Sequence, residues 1–181
     1  MRVITGTARG RKLKTLSGED VRPTTDLVKE AVFSIIQFGI EGRRFLDLFA
    51  GSGQMAIEAL SRGASGAVLV DESKQSCAVV RDNLKTVGFS DIAQVVQSDA
   101  LIYLSRTNEK FDIAYIDPPY ATGLIKKVLE PVCAHMNKGG TVLCESDNEA
   151  NFPESAGEFT RKRIYRYGRI FVALYRHADM D

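Results

Sequence analysis

The chain has 181 residues, 44% hydrophobic and 26% charged, with a net charge of +1. That length suits one domain with a packed core. The near-neutral balance excludes a uniformly polybasic binder, and no apolar run reaches the length that spans a bilayer.

Three scattered cysteines, Cys77, Cys133 and Cys144, form no CxxC pair, and His135 and His177 stand alone. This pattern predicts reduced thiols, no metal site and a cytoplasmic setting. The opening "MRVITGTARGRKLK" is Arg-rich and acid-poor like a transit peptide. It carries glycines and strand-like residues instead of an amphipathic helix, so it is expected to belong to the fold.

Taken in order, "RVITG" and "KLKTL" predict a short hairpin or extended arm over residues 1–22. The main body would then be 23–181. A helix should start at Arg22-Pro23-Thr24-Thr25-Asp26, capped by Thr24 or Thr25, with Val28, Ala31, Val32, Ile35 and Ile36 on its apolar face. Strands and helices then alternate. "RFLDLFA" is a strand, "GQMAIEALSRG" a helix, "GAVLVDE" a strand and "KQSCAVVRDNLKTVG" a helix. "IAQVVQSDA" holds a strand, "LIYLSRT" a short helix, "FDIAYIDPP" a strand, "GLIKKVLEPVCAHMNKGG" a helix and "TVLCES" a strand. Such alternation predicts a mostly parallel sheet covered on both faces. "FTRKRIYRYG" and "RIFVALYR" add an antiparallel hairpin at the sheet edge, for seven strands in all.

Gly51 and Gly53 lie at the first strand-to-helix turn, and Asp71 ends the next strand twenty positions after Gly51. In doubly wound sheets this arrangement places a nucleoside-bearing cofactor across the carboxyl ends of the strands. Asp47, just before the glycine loop, would repel a pyrophosphate but suits the ammonium of an amino acid. S-adenosylmethionine has that ammonium, a sulfonium and a ribose, and no phosphate. Asp99, in Ser98-Asp99-Ala100, ends the third strand, where it could accept from an adenine amine.

Asp117-Pro118-Pro119-Tyr120 ends the fourth strand and so faces the same edge. The prolines make this turn rigid and unable to donate backbone hydrogen bonds. A nucleobase amine is a poor nucleophile because its lone pair is delocalised into the ring. The Asp117 carboxylate and the Pro118 carbonyl could accept its two N–H bonds and direct that lone pair at a methyl group. Tyr120 offers a ring for the base to stack on.

These motifs resemble the D/N-P-P-Y/F signature of amino-directed nucleic-acid methyltransferases. More narrowly, "RVITGTARGRKL", "RPTTDLVKEAVF", "FLDLFAGSGQMAIEALSRGA" and "YIDPPY" resemble the RsmD family, bacterial 16S ribosomal RNA guanine-N2 methyltransferases. The resemblance implies an α/β, Rossmann-like class I S-adenosylmethionine-dependent methyltransferase with a small N-terminal β-hairpin. It implies methyl transfer to the N2 amine of a guanine in 16S rRNA, within the small ribosomal subunit or an assembly intermediate. Cofactor contacts are implied for Asp47, Phe49, Ala50, Gly51, Ser52, Gly53, Asp99 and Ala100, with either Asp71 or Glu72 at the ribose. Catalysis is implied for Asp117, Pro118, Pro119 and Tyr120. Ala56 stands where many members have Gly, and Asp71 where many have Glu.

Charge adds one expectation. Residues 1–18 and 161–176 hold eleven Lys and Arg and no acid. From this clustering, Arg9, Arg11, Lys12, Arg22, Arg166 and Arg169 are expected to touch RNA phosphates. Two solvated strand faces would look the same. A monomer is expected. The rival functions are a DNA adenine-N6 methyltransferase, for which the chain has no spare target-recognition segment, an inactive RNA-binding ribosome-assembly protein, and a dehydrogenase.

Overall fold

In the computed structural model, residues 1–16, 26–120 and 122–180 are described. The elements run α1 (Asp26–Ile36), β1 (Arg44–Asp47), α2 (Gln54–Ser61), β2 (Gly66–Asp71), α3 (Lys74–Val87), β3 (Ala93–Gln97), α4 (Ala100–Arg106), β4 (Phe111–Ile116), α5 (Leu124–Ala134), β5 (Met136–Ser146), β6 (Ser155–Ala156), β7 (Phe159–Tyr167) and β8 (Ile170–His177). They form one sheet in the order β3-β2-β1-β4-β5-β8-β7-β6. The first five strands in that order are parallel, and β8, β7 and β6 are antiparallel. This is a Rossmann-like α/β architecture, mostly parallel with an antiparallel edge. Among the described residues the sheet has eight strands, not the expected seven, because Ser155 and Ala156 pair briefly with β7.

Strand side chains alternate between two cores. Phe45, Leu69, Tyr115, Leu143 and Val172 pack under α1, α2 and α3. Leu46, Val70, Ala114, Cys144 and Ala173 pack under α4 and α5. Coverage of both faces explains the near-continuous apolar runs of β2 and β4. All three cysteines are buried thiols.

One expectation about elements needs correction. The helix expected to run to Gly140 ends at Ala134, and β5 begins already at Met136, which pairs with Phe111. Helical periodicity cannot register such pairing. Strand β5 was expected from Thr141 only. The N-terminal segment forms the short hairpin expected: Arg2 and Lys12 make an antiparallel bridge, and Val3 N and Leu13 N donate to the Arg11 and Met1 carbonyls (3.0 and 3.1 Å). The donors between its two arms turn outward to α2. Ile4 and Thr5 donate to the Glu58 carboxylate (2.8 and 2.9 Å), Thr7 to the Ser61 carbonyl (2.8 Å) and Ala8 to Ser61 Oγ (3.0 Å). The loop is therefore seated on the end of α2.

Helix α1 buries Val28, Val32 and Ile36 as expected, and also Phe33 and Lys29. Lys29 can be buried because its ammonium donates to the Arg2 carbonyl (2.6 Å) and stands 3.6 Å from Glu58. Desolvation still pulls its pKa down, against the attraction of Glu58. The cap expected at Thr24 or Thr25 lies outside the described residues, as does Arg22.

Candidate active site

Parallel pairing brings the carboxyl ends of β1, β2, β3 and β4 to one edge of the sheet. There they open into a cleft of about 830 Å³. Asp47, Phe49, Ala50, Gly51, Ser52, Asp71, Glu72, Asp99, Ala100 and Asp117 to Tyr120 all line it. The two motifs read from sequence, the glycine loop and the proline turn, thus share one cavity.

The loop after β1 is bonded on both sides. Leu48 donates to the Tyr115 carbonyl (3.1 Å) and Ala50 to the Val70 carbonyl (2.9 Å). Gly51 takes φ of 55° and donates to Asp71 Oδ2 at 2.8 Å. Gly53 is not among the lining residues. It precedes α2 at φ of 79°, and a Cβ there would stand 3.1 Å from Leu69 and 3.2 Å from Val80. Its role is to admit the left-handed turn tightly over the core. Asn83 on α3 ties this loop to the N-terminal segment. Its amide donates to the Ser52 and Lys14 carbonyls (2.9 and 3.0 Å), and its oxygen accepts from Lys14 N (2.7 Å). Met1, Thr15 and Leu16 complete that side of the cleft.

The acids differ in environment. Asp47 is 2% exposed and accepts from Ala56 N at 3.3 Å. Desolvation, reinforced by the Asp71 charge, raises its pKa to about 7 despite that hydrogen bond. Asp71 accepts from Gly51 N and from Ser73 N (2.9 Å), so it braces the loop as well as facing the cleft. Each of its oxygens has a second lone pair for a ligand hydroxyl. Neighbouring Glu72 is exposed. Asp99 caps α4 through Ile102 N (3.0 Å) with one oxygen.

At the proline turn, Pro118 is buried, Pro119 exposed and Tyr120 half-buried. Thr122 Oγ1 donates to the Pro119 carbonyl (2.7 Å). Behind the turn stands a group the sequence reading missed. Glu145, 3% exposed near the end of β5, accepts from the Tyr120 hydroxyl (3.0 Å) and from the Tyr115 hydroxyl. The available signal was an acid closing the apolar run "TVLCES", the same sign that singled out Asp47 and Asp71.

Among the described residues expected to touch RNA, none lines the cleft itself. Arg9, Arg11 and Lys12 are exposed on the N-terminal loop. Arg169 is exposed in the β7–β8 turn, and Arg166 folds back on that hairpin. Its Nε donates to the Gly168 carbonyl (3.1 Å) and its guanidinium lies 5.5 Å from the Phe171 ring.

Among the described residues lining the cleft are five acids, Asp47, Asp71, Glu72, Asp99 and Asp117, and no Lys, Arg or His side chain. That lining fits a cationic, hydroxyl-bearing ligand and opposes a pyrophosphate.

Residues 1–176 match the family model described as "Conserved hypothetical protein 95". The chain is 39% identical over 181 residues to "Putative rRNA methyltransferase YlbH" of Bacillus subtilis (strain 168), covering 97% of this chain and 98% of the other. It is 32% identical over 177 residues to "Ribosomal RNA small subunit methyltransferase D" of Escherichia coli (strain K12), covering 97% of this chain and 89% of the other. Among solved structures, "Putative methyltransferase yhhF from Escherichia coli" superposes with a TM-score of 0.86 at 31% identity, covering 98% of this chain and 97% of that one.

Proposed function

Because the chain belongs to the conserved hypothetical protein 95 family, the RsmD family, we propose that it transfers a methyl group from S-adenosylmethionine to the N2 amine of a guanine in small-subunit ribosomal RNA. One observation carries this reading: the acid-lined glycine-loop cleft and the Asp117-Pro118-Pro119-Tyr120 turn open into the same cavity. The names of the relatives support ribosomal RNA as the acceptor.

S-adenosylmethionine, when bound, supplies an electrophilic methyl group on a sulfonium. Asp47 would face its ammonium, Asp71 or Glu72 the ribose hydroxyls, and Asp99 the adenine. Asp117 and the Pro118 carbonyl accept the two N–H bonds of the guanine amine and aim its lone pair. The C–N bond would form as the sulfonium S–methyl bond breaks, its electron pair staying on sulfur in the departing S-adenosylhomocysteine, and the amine nitrogen would give its proton to Asp117 or to water. Tyr120 supplies the stacking ring, and Glu145 restrains it through its hydroxyl. Such placement is worth large rate factors because the reacting groups need no reorganisation. The acid lining repels phosphate, so the base enters alone, flipped out of its stack. RNA phosphates belong at the basic surfaces outside the cleft, and binding should weaken steeply with salt.

The test is transfer of label from S-adenosylmethionine to small ribosomal subunits from cells lacking the protein, with duplex DNA in parallel. Label recovered as N2-methylguanosine supports the reading. Label in N6-methyladenine of DNA overturns the acceptor, and absence of label from both overturns the activity. Asp117→Asn should abolish most transfer while S-adenosylhomocysteine still binds.

A further inference from the structure

Strand β7 carries a feature that the cleft does not use. Its register against β8 shifts between Arg161 and Arg163. Before the shift, Phe159 packs in the α4–α5 core, and the Arg161 guanidinium donates to the Phe152 carbonyl on that side. After it, Arg163, Tyr165 and Tyr167 pair with Leu174, Val172 and Ile170, which belong to the opposite core. One extra residue at a bulge exchanges the faces of all side chains beyond it.

The exchange builds a ladder of planar groups on alternate residues. The Arg163 guanidinium lies 5.0 Å from the Tyr165 ring centroid. The Tyr165 and Tyr167 rings are parallel within 8°, with centroids 6.4 Å apart. That spacing is close to two base-stacking steps of about 3.4 Å. Both rings are half-buried, resting partly on the core, and Arg163 is exposed. Among the described residues, β6 pairs only with Phe159 and Thr160, so this stretch forms the outer edge of the sheet.

The ladder also lies in register with the catalytic turn. Glu145 pairs with Val172, and Val172 with Tyr165. The backbone of Tyr165 is therefore two strands, about 10 Å, from that of Glu145, whose carboxylate holds Tyr120. Residues 159–177 contain six Lys and Arg and no acid. Parallel rings, a stacked guanidinium and uniform positive charge suit unpaired nucleotides. Every base offers a π-face, and phosphates find cations nearby.

We propose that Arg163, Tyr165 and Tyr167 form a stacking platform for unpaired ribosomal RNA nucleotides beside the target guanine. This rests on the ribosomal RNA reading given above. The platform gives affinity without base identity, while the cleft selects the amine.

The test compares Tyr165→Leu/Tyr167→Leu with Tyr165→Phe/Tyr167→Phe. The readout is fluorescence anisotropy of a labelled, unstructured RNA oligonucleotide, with S-adenosylhomocysteine binding as the control for folding. The Leu pair should weaken RNA binding roughly ten- to a hundredfold with the slope against salt unchanged, because no phosphate contact is lost. The Phe pair should bind like the parent protein. Equal binding by the Leu pair, or equal loss in the Phe pair, overturns the platform. Photocrosslinking of thiouridine-substituted RNA to the unmodified protein answers the same question if the Leu pair fails to fold. Crosslinks at Tyr165 or Tyr167 support the platform, and their absence overturns it. Ring-dependent RNA binding without methyl transfer to small subunits would leave the platform standing and remove the catalytic reading. Equal methyl transfer by the Leu pair and the parent protein would remove the platform alone.

Discussion

Asp47→Asn should stabilise the protein and weaken its hold on the methyl donor at the same time. The Asp47 carboxyl is buried beside the glycine loop, and desolvation lifts its pKa from 3.8 to about 7. At about 1.4 kcal/mol per pKa step, that rise corresponds to roughly 4 kcal/mol against ionising this group in the folded chain. Relaxation and water entry make this an upper bound. Because the folded pKa is raised, the destabilisation is absent below about 3.8, where both states are protonated. It grows as pH rises toward about 7. Asn keeps an oxygen for Ala56 N and carries no charge. Even about 1 kcal/mol recovered would raise the melting temperature by about 2–4 °C for a chain of this size. The difference from the parent protein should be largest near pH 8 and vanish by about pH 3. Cofactor binding should respond with the opposite sign. A site with a pKa of about 7 is about one-tenth ionised at about pH 6 and nine-tenths at about pH 8. S-adenosylhomocysteine, which carries the same ammonium, should therefore bind about tenfold more tightly at the higher pH. The Asn variant should bind weakly and without this dependence. Thermal melts and calorimetric titrations across pH are sufficient. A variant no more stable than the parent at pH 8, or one binding S-adenosylhomocysteine with parental affinity, would refute the reasoning.

Two further perturbations probe the supports of the cleft. In Gly6→Ala the new Cβ would fall 1.7 Å from the Ser61 carbonyl oxygen, at φ of 86°. Unseating the N-terminal loop should cost at least about 2 kcal/mol, or about 5 °C in a thermal melt. It should also weaken cofactor binding, since Met1, Thr15 and Leu16 line the cleft; an unchanged melt would show that the loop contributes nothing. Glu145→Gln should lower kcat about ten- to a hundredfold by loosening Tyr120 while S-adenosylhomocysteine affinity is retained. Parallel loss of both would instead mark Glu145 as a purely structural group.

Much of the site was legible because chain order alone carries it. When strands alternate with helices in a parallel sheet, every strand's carboxyl end meets the same edge. Asp47, Asp71, Asp99 and Asp117, each closing an apolar run, could therefore be placed around one ligand before any contact was known. Local chemistry also determined the glycine turn at Gly51 and Gly53 and the stiff turn at Pro118 and Pro119. The tertiary structure alone decided what depends on register and on which surfaces meet. Pairing of Ile116 with Cys144 puts Glu145 behind Tyr120. Packing of α1 beside α2 joins Lys29 to Glu58 and seats the first residues there. Met136 became a strand residue because Phe111 was available to pair with it. A bulge near Lys162 turned Arg163, Tyr165 and Tyr167 to one face of the sheet and left Arg166 on the other. Periodicity records which way a residue points within its own element. It holds no record of which distant residue stands opposite, and the buried carboxylate, the seated loop and the aromatic ladder are all products of that second choice.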